Sequence, residues 1–417
     1  MRFKIYTFGC KVNAYESQSL KERLIQEGHT EAIDDDADIY FVNTCAVTNE
    51  AERKDLQKVR SISRNHDGKP IFIMGCSSQI HKDYYLPIKN VRGIIGSSGK
   101  NDIEKILESK DGGTVDHVKK NSRHFSYEDT PTKEGEKNVR GYLKVQDGCD
   151  NFCSYCVVPF TRGNSRSRSH ISVIEEAKSL LAHGIKELIV GGIDTGSYQD
   201  PDNEDYHLVD LLEDLLHLSE EPYRIRVSSI EESQVNDRYI SLFKDHPDRL
   251  CPHFHLPLQS GSPRVLKRMN RKYDLQDYEK LTEKIRLAIP EAAFSTDVIS
   301  GFPGETEEEF LETYEFCKKI GFMRIHAFPY SERPFTMAAS LKDPVPMRIR
   351  MERTKKLIAL SEENEKKYRE LLHGKEACVL IEGKNKLGLY EGYSENYLRF
   401  SLDSKEDITG QFKKVKI

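Results

Sequence analysis

A chain of 417 residues is longer than one hydrophobic core usually fills, so two to three domains are expected. With 37% hydrophobic and 31% charged residues, no bilayer-length apolar run and no N-terminal stretch patterned as an export signal, the cytoplasm is the expected compartment and no membrane partner is expected. A formal net charge of −5 excludes a global attraction to nucleic acid, so any RNA affinity must come from local basic patches.

The chain opens with short β-branched and aromatic runs alternating with helical patterns. Lys4–Phe8, Asp38–Val42 and Ile71–Met74 read as buried parallel strands, with Ala14–Glu27 and Glu50–Asn65 as the helices between them. That order predicts an α/β domain over 1–110 with a parallel sheet covered by helices. Residues 111–138 are polar and without periodicity, which predicts a linker.

A second alternation runs over 139–345. Its predicted strands are Gly141–Gln146, Glu187–Gly191, Tyr223–Ser228, Phe254–Leu258, Phe294–Ile299 and Arg324–Phe328. Helical patterns at Val173–His183, Leu208–Leu218, Asp274–Ala288 and Glu307–Ile320 lie between them. Six strand–helix units predict a partial (βα)6 barrel whose site lies at the C-terminal ends of the strands. The carboxylates of Glu305-Thr-Glu-Glu-Glu309 suit the first turn of a helix and are read as structural. A charged connecting helix is predicted over 346–372, and 373–417 reads as a small all-β module of short alternating strands.

Nine cysteines, an odd number with no export signal, argue against a disulfide framework. Cys149, Cys153 and Cys156 form C-x3-C-x2-C directly after a predicted strand, and soft sulfur ligands this close favour iron–sulfur or zinc. Structural zinc wants four ligands, and no fourth Cys or His stands at zinc-finger spacing. Three thiolates on a four-iron cluster leave one iron open. Cys10, Cys45 and Cys76 each follow one of the first three predicted strands, and a parallel sheet gathers such ends on one edge. A second cluster there explains their placement better than three buried thiols do. Cys317 and Cys378 are read as packing residues, and Cys251 is given no role.

The segment Cys149-Asp-Asn-Phe-Cys-Ser-Tyr-Cys156 resembles the signature of radical S-adenosylmethionine enzymes, with Tyr155 at their usual aromatic position. Further matches fall at strand ends: Gly191 and Gly192, then Ser228, Ser229 and Glu231, then Gln259 in His255-Leu-Pro-Leu-Gln-Ser-Gly-Ser262, and Gly301 in Asp297-Val-Ile-Ser-Gly-Phe-Pro-Gly-Glu-Thr306. These are the residues the resemblance assigns to S-adenosylmethionine. Singly, each reads better as a turn residue, and their common position at predicted strand ends favours the site.

Over nearly the whole chain the sequence resembles the methylthiotransferase family, which implies an auxiliary [4Fe-4S] cluster on Cys10, Cys45 and Cys76 and a C-terminal module of TRAM type. Gly-Cys-Lys-Val-Asn13 and Asn-Thr-Cys-Ala-Val-Thr-Asn-Glu-Ala51 are most similar to the branch that acts on threonylcarbamoyladenosine in tRNA. Two departures stand out. The family's usual Arg-Pro-Gly-Thr-Pro is Arg333-Pro-Phe-Thr-Met337 here, and Gly-Ile-Asn-Leu-Gly is Gly192-Ile-Asp-Thr-Gly196.

The resemblance implies methylthiolation at carbon 2 of the base next to the tRNA anticodon. One S-adenosylmethionine would methylate sulfur on the auxiliary cluster, and a second would yield the deoxyadenosyl radical. No side-chain acid or base is assigned, and an electron donor such as flavodoxin or ferredoxin is expected. Arg162, Arg166 and Arg168 follow the cysteine loop and are expected to meet phosphate or stack on a base of the anticodon stem-loop. Tyr390, Tyr393, Tyr397 and the basic tail from Phe412 suit single-stranded RNA, although core tyrosines are an equal account. Alternatives are isopentenyladenosine tRNA, a ribosomal-protein aspartate, or an iron–sulfur sensor without catalysis.

Overall fold

The computed structural model describes residues 1–108, 115–119, 125–133 and 139–417. Strand β1 (Arg2–Thr7) runs into α1 (Lys11–Gln26), and a short β2 (Thr30–Glu31) precedes β3 (Ile39–Thr44), α2 (Asn49–Asn65) and β4 (Ile71–Gly75). Then come α3 (Cys76–Ile80), β5 (Val91–Ile95), α4 (Ile103–Glu108) and β6 (Val115–His117). The six strands form one parallel sheet of order β2-β1-β3-β4-β5-β6. Every residue of β3 and β4 is buried, as a strand with helices on both faces requires. Alternation divides the core accordingly: Tyr40 and Val42 pack with Val59 and Ile62, whereas Ile39 and Phe41 pack with Leu20 and Leu24. The side chain of Thr48 caps α2 by accepting the Ala51 N–H at 3.1 Å.

The stretch expected as a linker at 111–138 is not one throughout. Val115–His117 adds the sixth strand by pairing with Gly93–Ile95. Phe125 is buried, and the Glu128 carboxylate accepts the backbone N–H of Lys100 at 3.1 Å. Polar composition hid this strand because it lies at the edge of the sheet. The other residues of that stretch lie outside the described ones.

Next in the chain come β7 (Arg140–Lys144), β8 (Gln146–Asp147), α5 (Val158–Thr161), β9 (Arg166–Ser167), α6 (His170–Ala182) and β10 (Glu187–Gly191). A hairpin of β11 (Gln199–Asp200) and β12 (Asn203–His207) leads to α7 (Leu208–Leu215), β13 (Arg224–Val227) and α8 (Asp237–Asp245). The series continues as β14 (His253–His255), α9 (Pro263–Arg268), α10 (Leu275–Ala288), β15 (Ala293–Ser300), α11 (Glu307–Ile320) and β16 (Arg324–Pro329). Strands β7, β10 and β13 make one parallel sheet, and β14, β15 and β16 another. A parallel bridge between Ser229 and His255 continues the series from one to the other. The acidic start of α11 is structural: Thr306 and Glu309 form a capping box, and Glu305 and Glu307 pair with Arg353.

The chain ends with α12 (Met347–Leu371) and an antiparallel sheet of β17 (Glu376–Lys384), β18 (Tyr390–Tyr393), β19 (Arg399–Leu402) and β20 (Phe412–Lys416), in the order β19-β18-β17-β20. Tyr390 is core, and Tyr397 stacks on His253 and Tyr393 with ring centroids 4.8 and 4.9 Å apart. Tyr390 is thus taken up by the core and Tyr397 by a stack of rings. Cys378 reverses the expectation of burial: it is exposed because the strand turns Ala377 and Val379 inward instead.

Two compact units emerge, and they do not follow chain order. Met1–Glu134, Gln146–Arg168 and Ser331–Ala339 form one; Gly135–Val145, Ser169–Tyr330 and Ser340–Ile417 form the other. The loop of Cys149, Cys153 and Cys156 therefore belongs with the N-terminal sheet.

In the second unit Glu187 is fully buried among Arg224 (2.5 Å), Arg226 (3.0 Å) and Arg140 (3.8 Å). The two β13 arginines also donate to backbone carbonyls of the C-terminal sheet, at Cys378, Tyr393, Ser394 and Glu395. Burial alone would raise the Glu187 carboxyl, but Arg226 and Arg224 outweigh it and hold it below the usual carboxylate range. Its stabilising contribution is therefore present above the ordinary carboxylate pKa and is lost as pH falls through the lowered folded-state value. Glu187→Gln, which strands buried guanidinium groups, is expected to cost about 3–5 kcal/mol in chemical denaturation at pH 7. An unchanged midpoint would contradict this.

Candidate functional site

Parallel register sets the first cysteine group. Thr7 lies opposite Asn43, and Thr44 opposite Gly75, so the C-terminal ends of β1, β3 and β4 are level. Cys45 and Cys76 directly follow β3 and β4, and Cys10 lies between β1 and α1. Glycine is required before two of them. Gly9 has φ +99°, and a Cβ there would stand 2.8 Å from the Cys45 Cβ; Gly75 has φ +105°, and a Cβ would stand 2.5 Å from the Thr44 carbonyl. Asn13 pins the edge by donating to the carbonyls of Phe8 (2.8 Å) and Thr44 (3.0 Å).

Burial pushes the Cys45 thiol up to about 12, and Cys76 and Cys10 push it further in the same direction. Cys76 is also raised by burial, with Arg162 and Lys100 opposing. Thiolates that burial and mutual repulsion disfavour are a donor set that bound iron relieves, because the metal supplies the missing positive charge. The Val47 N–H points at the Cys45 Sγ at 3.5 Å. These residues fit an iron–sulfur cluster.

The second group sits on a loop closed by the antiparallel pair β8 and β9. Cys149 N–H donates to the Gly163 carbonyl (3.1 Å), Cys156 N–H to the Cys153 carbonyl (2.9 Å), and Asn151 N–H to the Cys149 Sγ (3.5 Å). All three cysteines are half-buried. A backbone N–H directed at the Cys149 sulfur, with three soft ligands, fits a second cluster. The two groups are neighbours within their unit: Val157, which follows Cys156, shares a small buried cluster with Ala46 and Cys76.

The arginines after this loop correct the sequence reading. Arg162 and Arg168 are each 1% exposed. Arg162 meets Glu16 and Asp147 at 3.0 Å and the Asn13 side chain at 2.7 Å. Arg166 meets Asp147 at 3.1 Å, and Arg168 meets Asp129 at 2.7 Å. Their partners include residues some 150 positions away in sequence, so a run that looks like solvated surface becomes an internal ionic network. Their guanidinium groups are engaged by carboxylates of the same unit.

In the second unit the strand-end residues fall together along β10, β13 and β15. Gly191 ends β10, with Gly192 after it; a Cβ on Gly191 would lie 2.6 Å from the Tyr142 hydroxyl and 2.9 Å from Ser228, so the backbones approach closely. Ser228 N–H donates to the Val190 carbonyl at 2.8 Å, and Ser229 forms the bridge to His255. The Glu231 carboxylate is engaged by Arg271. Gln259 N–H donates to the Asp297 carbonyl at 2.7 Å, and Gly301 N–H donates to Glu305 at 2.7 Å. Tyr155 stands apart from this set in the chain division, within the cysteine loop.

One cluster escaped the sequence reading. His255, Asp297 and His326 lie on β14, β15 and β16, on the face opposite the core residues Phe254, Phe294 and Val298. His255 Nε2 pairs with Asp297 at 3.3 Å, and its Nδ1 meets Ser295 Oγ at 2.8 Å. Burial would raise Asp297, but the bond to His255 holds it below the usual range. The polar alternation of His253-Phe-His255 was the available signal. A cavity lined by Arg224, Leu250, Cys251 and Cys378 opens at the other end, where β13 begins, and plays no part in this set.

The Radical SAM superfamily model matches residues 143–317, and the model described as Uncharacterized protein family UPF0004 matches residues 2–96. The threonylcarbamoyladenosine tRNA methylthiotransferase of Bacillus subtilis is 37% identical, covering 99% of this chain and 92% of its own. The tRNA-2-methylthio-N(6)-dimethylallyladenosine synthase of Dictyoglomus thermophilum is 35% identical over 100% and 96%. In fold, the chain is similar to a radical S-adenosylmethionine methyltransferase of Kitasatospora setae solved with cobalamin and a [4Fe-4S] cluster, with a TM-score of 0.56 at 17% identity over 81% and 76%. With one cysteine group at a sheet edge, another on a hairpin-closed loop, and a match to such relatives over its whole length, the chain belongs to the radical S-adenosylmethionine methylthiotransferase family.

Proposed function

We propose that this protein attaches a methylthio group to carbon 2 of threonylcarbamoyladenosine beside the tRNA anticodon. The observation that carries the reading is the meeting of both cysteine groups in one compact unit, where Val157 packs on Cys76 and Ala46. Cys149, Cys153 and Cys156 would hold a [4Fe-4S] cluster that would supply the electron for cleaving S-adenosylmethionine, and Cys10, Cys45 and Cys76 would hold a second that would carry the sulfur for transfer.

The chain's own residues hold and place. At the strand ends Gly191, Gly192, Ser228, Ser229, Gln259 and Gly301 bind S-adenosylmethionine, and Tyr155 belongs to the cysteine loop. Glu231 acts through Arg271, which it orients. A second S-adenosylmethionine is the methyl donor, a flavodoxin or ferredoxin the electron donor, and the cytoplasm the compartment.

The tRNA branch rests on the residues around Cys10 and Cys45 and on the Bacillus subtilis relative; the Dictyoglomus thermophilum relative, nearly as similar, keeps the isopentenyl-type base as the competing substrate. Nucleoside mass analysis of tRNA from a strain lacking the gene separates them. Loss of 2-methylthio-threonylcarbamoyladenosine with the isopentenyl derivative intact is the expected result, and the reverse loss would overturn it.

A further inference from the structure

The segment Ser331–Ala339 is tied to the cysteine edge of its unit. Asn49 N–H donates to Ser331 Oγ at 3.0 Å, Arg333 meets Glu52 at 2.9 Å, and Ala338 N–H donates to the Ser154 carbonyl at 2.7 Å, inside the cysteine loop. Within this anchored loop Phe335 has φ +66°. The family's usual residue at this position is glycine, which takes a left-handed backbone at little cost, whereas a bulky side chain is strained there. Burial does not compensate: Phe335 is 62% exposed, and the neighbouring Met337 is 71% exposed. Strain retained on an exposed ring points to a use for the ring.

Its neighbours show what the use is. The Phe335 ring lies 6.2 Å from Phe160, and Phe160 lies 6.2 Å from Phe152, the residue before Cys153. Phe152 is itself left-handed, with φ +47°, and 40% exposed. An aromatic row thus runs from the cysteine loop to the anchored segment, all in one unit. Arg162, Arg166 and Arg168 of the same loop are engaged by carboxylates, whereas Phe335 and Phe152 are exposed. We propose that Phe335, with Phe160 and Phe152 behind it, is a stacking platform for a nucleobase of the RNA substrate. This rests on the tRNA reading above. Stacking accepts any base face, so the platform positions the RNA beside the cysteine loop and does not choose its sequence.

The test uses the full chain reconstituted with both clusters, an anticodon stem-loop as substrate, and the variants Phe335→Gly, Phe335→Leu and Phe335→Tyr. Phe335→Gly is expected to raise KM for the RNA about ten-fold while its melting temperature is equal or higher, because the strain is gone. Phe335→Leu, which keeps apolar bulk without a ring, should raise KM as well, and Phe335→Tyr should restore it, with kcat at saturating RNA changing less than KM. A lower melting temperature with unchanged KM in Phe335→Gly would assign the ring to packing and overturn the platform. A wild-type protein that leaves the stem-loop unmodified would instead overturn the tRNA reading itself.

Discussion

Cys10→Ala is expected to abolish methylthiolation of tRNA while leaving reductive cleavage of S-adenosylmethionine in place. Cys10 is the exposed member of its group and sits at the turn between β1 and α1, so its thiol can be removed without opening a core. The sheet edge then has only Cys45 and Cys76 to hold a cluster, and the proposed sulfur carrier is lost. The loop of Cys149, Cys153 and Cys156 keeps its own backbone hydrogen bonds and its three thiols. Liquid chromatography of one reaction reads both products: 5′-deoxyadenosine should persist and the methylthio nucleoside should fall to background. Normal nucleoside formation by this variant would remove the auxiliary cluster from the mechanism.

Arg162→Met is expected to destabilise the N-terminal unit strongly. The guanidinium is fully buried and joins Glu16 and Asp147, with Lys100 pairing the same Glu16 at 2.5 Å. Removing it leaves two carboxylates short of a partner inside the fold, which is expected to cost about 3–5 kcal/mol. The charge also opposes burial at Cys76, so its loss should raise that thiol further and lower the iron bound per chain. Denaturant titration and iron analysis check the two parts. The double variant with Asp147→Asn should cost less than the sum of the singles, because both belong to one network. Simple additivity would contradict the network.

Much of this was legible before the structure. Buried strands announced themselves by β-branched runs, and the cysteines could be assigned to one edge because parallel topology puts strand ends together. What the sequence hid was mostly tertiary. Arg162 looks exposed until Asn13 and Glu16, near the other end of the unit, are brought beside it. Val115–His117 carries no strand signal of its own and exists through pairing with β5. The membership of residues 146–168 in the N-terminal unit likewise depends on contacts that no local pattern encodes. Phe335 was visible as a departure from the family pattern, but its exposure and left-handed backbone were not.

The most direct measurement is mass analysis of the nucleosides of tRNA incubated with the reconstituted protein, reductant and S-adenosylmethionine. The account predicts 2-methylthio-threonylcarbamoyladenosine together with 5′-deoxyadenosine. Formation of 5′-deoxyadenosine with no methylthio nucleoside in the tRNA would contradict it.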